Sequence, residues 1–158
     1  MKKLIFLFSL LIAVCTPALS SDLYWSDITG TQISPPGERR SYPTAYRTYE
    51  LNYAPFRIML QTAPHEDAVK LRNSSFIISV PMPEGNMQRF RIVEYRMMEE
   101  PLAQKYPGIK TFYGAGVENP LASIRLDYTN KGFHAMIYTG TENGIAMIDP
   151  VTMETAQY

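Results

Sequence analysis

Two histidines, His65 and His134, are the only imidazoles the chain has for holding a metal or moving a proton. His65-Glu66 opens like HExxH, where two histidines one helical turn apart hold zinc and the glutamate acts as base. Val69 stands where the second histidine belongs. Zinc catalysis needs two or three donors converging on one ion beside an open position, and that set is missing. His65 therefore reads as a polar-loop residue. His134 shares a strand face with Met136 and Tyr138 and reads as a packed or half-exposed strand histidine. No Gly-x-Ser-x-Gly puts a serine nucleophile on a strained turn. Gly114-Ala115-Gly116 lacks the third glycine of a nucleotide fingerprint and reads as a bulge or loop between strands. Glu99-Glu100 falls at a helix start, solvated and matched to the helix dipole, a poor setting for acid/base work. Asn73-Ser74-Ser75 matches the N-glycosylation acceptor pattern, which carries meaning only in a glycosylating host. The methionines are scattered, as gap-filling core residues are. The expectation is a chain that catalyses nothing alone, with no catalytic residue, no metal ligand and no cofactor.

Charge excludes two partner classes. Lysine plus arginine and aspartate plus glutamate number 15 each. A nucleic-acid binder needs a cationic footprint, and a membrane-surface binder a polybasic patch. Neither is present. The plentiful tyrosine and phenylalanine suit a β-rich domain.

The front end reads as an export signal. Met1-Lys2-Lys3 is followed by an apolar run, Leu4 to Val14, and then by Cys15-Thr16-Pro17-Ala18-Leu19-Ser20. A basic start, an apolar stretch and a small-residue site in that order form a cleavable secretory signal. Ala18 and Ser20 occupy the positions a signal peptidase reads, so the cut is expected between Ser20 and Ser21. The run is too short to span a bilayer, which takes roughly 20 residues. No stable membrane anchor is expected after cleavage. A lipidated Cys15 is the lesser reading, because Val14 stands where that signal wants a small residue. The expected product is secreted or periplasmic and has lost the only cysteine, so it can form neither a disulfide nor a thiolate metal site. Its stability must come from packing.

The elements follow from breakers and periodicity. Residues 21–45 read as an extended lead-in, with Ser34-Pro35-Pro36-Gly37 as loop and Tyr24 and Trp25 as apolar anchors. Residues 46–158 read as one module. Tyr46 to Leu51 alternates as a strand. Asn52 caps a helix with Pro55 in its first turn, and Phe56, Met59, Leu60 and Ala63 form its buried face. Phe76–Val80 and Met87–Tyr95 form a hairpin, with Phe90 and Ile92 inward and Arg89 and Arg91 outward. Glu99–Tyr106 is a short helix and Ile109–Tyr113 a strand. Ser123–Tyr128 alternates with Ile124, Leu126 and Tyr128 inward. Phe133–Tyr138 pairs back, and Asn143-Gly144 turns into a last strand, Ile145–Ile148, expected at a sheet edge. The fold class is α+β, a single domain of antiparallel meander and hairpins with about two short helices.

Several phrases, in order, carry a resemblance. They are Gly37-Glu38-Arg39-Arg40, Tyr46-Arg47-Thr48-Tyr49, Ile78-Ser79-Val80-Pro81-Met82-Pro83-Glu84-Gly85 and Gln88-Arg89-Phe90-Arg91-Ile92-Val93-Glu94, then Gly132-Phe133-His134-Ala135-Met136-Ile137 and Ile148-Asp149-Pro150. Together they resemble the N-terminal pro-region of secreted reprolysin-like (metzincin) zinc metalloproteases of Bacteroidetes-type bacteria, over almost the whole of residues 21–158. The matching positions, Gly85, Arg89, Phe90, Gly132, Phe133, His134, Asp149 and Pro150 among them, are structural in kind. In that family the pro-region precedes a catalytic domain bearing HExxHxxGxxH. No zinc motif lies in this sequence, so no family catalytic residue carries over; a truncated precursor or a domain standing alone fits. The resemblance implies a non-catalytic module that inhibits or helps fold a secreted zinc metalloprotease domain, its expected partner. A cysteine on the zinc is excluded as the means, leaving surface occlusion or strand addition. The alternative is a stand-alone periplasmic or extracellular binding module for a protein or glycan, with Tyr95, Arg96, Tyr113 and Arg125 as contact candidates.

Overall fold

The computed structural model describes residues 21–34, 36–39, 42–142, 144–152 and 157–158. The expected signal, with Cys15, Ala18 and Ser20, lies outside them, as does Asn143. Ser21 opens a short 3-10 turn, Ser21–Tyr24. The strands are β1 (Trp25–Asp27), β2 (Tyr49–Leu51), β3 (Ile77–Pro81), β4 (Met87–Tyr95), β5 (Lys110–Gly116), β6 (Ser123–Thr129), β7 (Gly132–Tyr138) and β8 (Ile145–Ile148). The helices are α1 (Tyr53–Leu60) and α2 (Glu100–Lys105). β1 and β2 pair antiparallel as a small sheet. β3 to β8 form one curled antiparallel sheet in sequence order. The architecture is mostly β, so the α+β expectation holds in its coarse form.

Alternation sorts the large sheet into two faces. Ile78, Val80, Phe90, Ile92, Phe112, Ile124, Leu126, Tyr128, Phe133 and Ile137 are buried on the inner face. Arg89, Arg125, Met136, Tyr138, Ile145 and Met147 fall on the other. α1 and the small sheet cover the inner face through an aromatic cluster. The Phe56 ring meets Trp25 at 5.8 Å and Phe133 at 5.3 Å between centroids, both edge-on. Trp25 meets Tyr158 at 5.7 Å. Edge-to-face geometry adds attraction beyond area burial.

Four expectations need correction. The lead-in is not all loop: burying Tyr24 and Trp25 orders the first turn and β1. β2 starts at Tyr49 rather than Tyr46, because Arg47 turns away to Asp27 at 2.5 Å. Asn52 makes no side-chain cap; its carbonyl accepts the Phe56 N–H at 3.2 Å, and its own N–H donates to Tyr24. Gly114-Ala115-Gly116 is neither bulge nor loop but the paired end of β5. A Cβ on Gly114 would sit 2.4 Å from the Arg91 carbonyl oxygen, so glycine there permits close strand packing.

The chain end is built into the fold. Tyr49 and Tyr158 exchange backbone hydrogen bonds of 2.7 and 2.8 Å, so 157–158 extends the small sheet. The Phe133 N–H donates to the Tyr158 hydroxyl at 3.1 Å. Gly132, at φ +112°, faces the same spot: a Cβ there would meet Pro150 at 3.0 Å and the Tyr158 hydroxyl at 3.1 Å. Gly132→Ala should therefore cost about 1–3 kcal/mol, from backbone strain plus crowding. A urea midpoint lowered without a change in slope would register it.

Candidate functional site

β3 and β8 are the two ends of the sheet order, and they are not equivalent edges. β3 lies near the 3-10 turn and ends in Pro81, which has no N–H to offer a neighbour. β8 pairs with β7 on one side only among the described strands. Ile145–Ile148 line a groove of about 370 Å³ together with Tyr46, Arg47, Tyr49, Pro83 and Pro150. That volume falls within the range of ligand clefts, roughly 300–1,000 Å³. A free edge beside an apolar cleft is the geometry of strand addition, in which main-chain bonds supply affinity and side-chain pockets specificity.

The polar lining is held from behind. Arg39 sits over the rings of Tyr42 and Tyr46, 5.5 and 4.7 Å from their centroids. Asp27 bonds Arg47 and, with Tyr49 second, pushes its guanidinium pKa up. The same contact holds the Asp27 carboxyl down at about 2. Gly85, at φ +93°, lets the β3–β4 turn lie against Arg47; a Cβ there would be 2.9 Å from the guanidinium carbon. The Tyr49 hydroxyl is buried and finds no well-formed hydrogen bond among the described residues. The sign for pH follows from Asp27. Its folded pKa lies below the ordinary 3.8, so the Arg47 clamp is complete above about pH 4 and is lost as pH falls through about 2. A carboxyl ¹³C titration of Asp27 should place the midpoint near 2, and Arg47→Gln should return it towards 3.8.

The remaining candidate residues scatter. Tyr95, Tyr113 and Arg125 come together on the outer face. The two rings meet edge-on at 5.4 Å, and Arg125 donates to the Tyr95 hydroxyl at 3.1 Å. Arg96 does not join them; it pairs with Glu100 at 2.7 Å. Of the resemblance positions, Phe90 and Phe133 are core, and Arg89 pairs with Glu118 on the outer face. Asp149 and Pro150 border the groove, and His134 lies outside it, bonded to Asp127. Tyr46, Arg47 and Tyr49 were not expected as groove residues, since strand alternation alone marks them for packing. Among the described residues no cluster of three or more His, Cys, Asp or Glu could hold a metal, and no helix is long and apolar enough to cross a membrane.

No family model matches this chain, and neither curated proteins nor solved structures match it.

Proposed function

We propose that this chain is a non-catalytic, exported, pro-domain-like module that engages another protein by accepting an extended segment along β8. The open edge of β8 beside the groove carries the reading. The phrases that resemble reprolysin-like pro-regions support, as the partner, the catalytic domain of a secreted zinc metalloprotease. The pattern of residues 1–20 supports a secreted or periplasmic setting, and the α+β class belongs to the same proposal. Strand addition needs no cysteine, consistent with a mature chain that lacks one. A second reading rests on Tyr95, Tyr113 and Arg125, an exposed aromatic and cationic platform suited to a glycan.

The test mixes the purified chain with a reprolysin-like catalytic domain and follows peptide hydrolysis. Dose-dependent inhibition is expected. Ile145→Lys with Met147→Lys should weaken it roughly tenfold or more, because lysine on an edge strand opposes pairing. Both side chains are exposed, 63% and 66%, so the fold should tolerate the change. Hydrolysis unaffected at any ratio would refute the reading. Self-association of the chain that the same lysines abolish would assign the edge to a second copy and equally refute it.

A further inference from the structure

We infer that the outer face of the sheet carries a binding site for a soft monovalent metal ion, Cu(I), built from His134, Met136 and Met147. This site does not rest on the protein-binding role proposed above. β7 places His134 and Met136 two residues apart on one face. The register sets Met136 directly opposite Met147 on β8. Directly opposed side chains start roughly 4.5–5.5 Å apart at Cβ, and diagonal ones roughly 7–8 Å. Methionine is unbranched, and rotation about its Cα–Cβ and Cβ–Cγ bonds swings the sulfur far enough for both sulfurs and the imidazole to reach one ion. The three side chains line a single depression of about 240 Å³, which Met97 also borders as a third thioether.

The second observation is the state of the imidazole. His134 Nδ1 lies 3.2 Å from an Asp127 carboxylate oxygen. A donated Nδ1–H fixes the ring and leaves the Nε2 lone pair for a metal, the carboxylate–histidine–metal arrangement of many sites. An apolar patch meant only for packing needs no such imidazole. The donor set then chooses the ion. Two neutral thioethers and one imidazole suit Cu(I), whereas magnesium and calcium require oxygens. Structural zinc sites use thiolate, imidazole or carboxylate, and thioether is absent from that set. The charged groups facing the depression are Arg125, Asp127 and Asp149. Arg125, opposite Met136, donates to the Tyr95 hydroxyl at 3.1 Å within the same depression, and the two carboxylates outnumber its single positive charge. Met136 and Met147 are 48% and 66% exposed, so an ion reaches them without opening the fold. The strand pairing brings the sulfurs together; along the chain they are far apart and read as scattered.

The experiment uses the full chain with Cys15→Ser, so that the one thiol does not compete. Methyl-¹³C methionine spectra are recorded while Ag(I), a redox-inert stand-in for Cu(I), is added. The methyl signals of Met136 and Met147 should move and saturate at one ion per chain, while those of Met59, Met82 and Met87 stay. Anaerobic competition against bicinchoninate then measures Cu(I) itself. Met136→Leu with Met147→Leu, which keeps apolar volume, should weaken retention by on the order of 100-fold or more. Asp127→Asn should weaken it roughly 10- to 100-fold, the usual effect of removing a partner behind a ligand. Methyl signals that do not respond, or retention unchanged in the double leucine variant, would overturn the site. So would Zn(II) held as tightly as Cu(I), because thioethers would then not be the donors. The leucine pair keeps β8 apolar, so loss of metal binding with protease inhibition intact separates this site from the edge-strand proposal.

Discussion

Phe56→Ala is expected to lower unfolding free energy by about 3–5 kcal/mol, the usual cost of emptying a buried aromatic site. Phe56 is fully buried at the centre of α1. Its ring joins two parts of the chain that are remote from it in sequence: Tyr24 and Trp25 at the opening turn and β1, and Phe133 in β7. α1 is eight residues long and lacks a side-chain cap. A helix so short is marginal on its own, so packing rather than propensity holds it. Removing the ring therefore leaves a cavity and detaches the element that covers the sheet. Against a total stability of roughly 5–15 kcal/mol, that loss takes a third or more. Ile58 on the same helix is exposed, and Ile58→Ala should stay within about 0.5 kcal/mol. Urea denaturation of both variants, followed by the fluorescence of the single tryptophan, is the measurement. Equal midpoints for the two would refute the anchoring role of Phe56.

Stability should also fall between about pH 10 and pH 12, and Tyr158 should be the main cause. Burial, the largest influence, raises its pKa from 10.0 to about 12. The folded state thus keeps a proton that the unfolded state gives up. Its contribution is complete below pH 10 and is lost as pH rises through about 12. At 1.36 kcal/mol per unit, the full loss approaches about 3 kcal/mol. Tyr158→Phe removes this alkaline step. It has its own cost at neutral pH of about 1–3 kcal/mol, because the Phe133 N–H then loses its acceptor. Thermal melts from pH 7 to 12 on both forms should therefore begin apart and converge. Parallel curves would show that the alkaline loss comes from another group.

The β-strands were legible where one face is wet. Ser123–Tyr128 alternates without exception, and β6 follows it closely. Met87–Tyr95 coincides with β4, arginines outward as expected. Gly114 misled because glycine in a strand looks the same in sequence whether it breaks pairing or makes room for it. Only the Arg91 carbonyl and Ile92 across the strand pair decide between the two. Asn52 misled because its backbone, tied through its N–H to Tyr24 28 positions away, sits at φ −71° and ψ 80°, outside the extended conformation from which a side-chain oxygen caps a helix.

The sequence by itself determined that it holds no HExxH motif. It also determined the alternation that sorts each strand into a dry and a wet face, since that pattern is local and period two carries it. Tertiary structure decided everything that depends on which strands end next to which. Among the described strands β8 pairs on one side only and lines a groove with Arg47 and Tyr49, while β3 ends in Pro81. The register sets Met136 opposite Met147 with His134 alongside. Residues 157–158 return to β2 and lay Tyr158 against Phe133 and Gly132. These juxtapositions are non-local, and periodicity along the chain holds no information about them until the sheet has closed over its core.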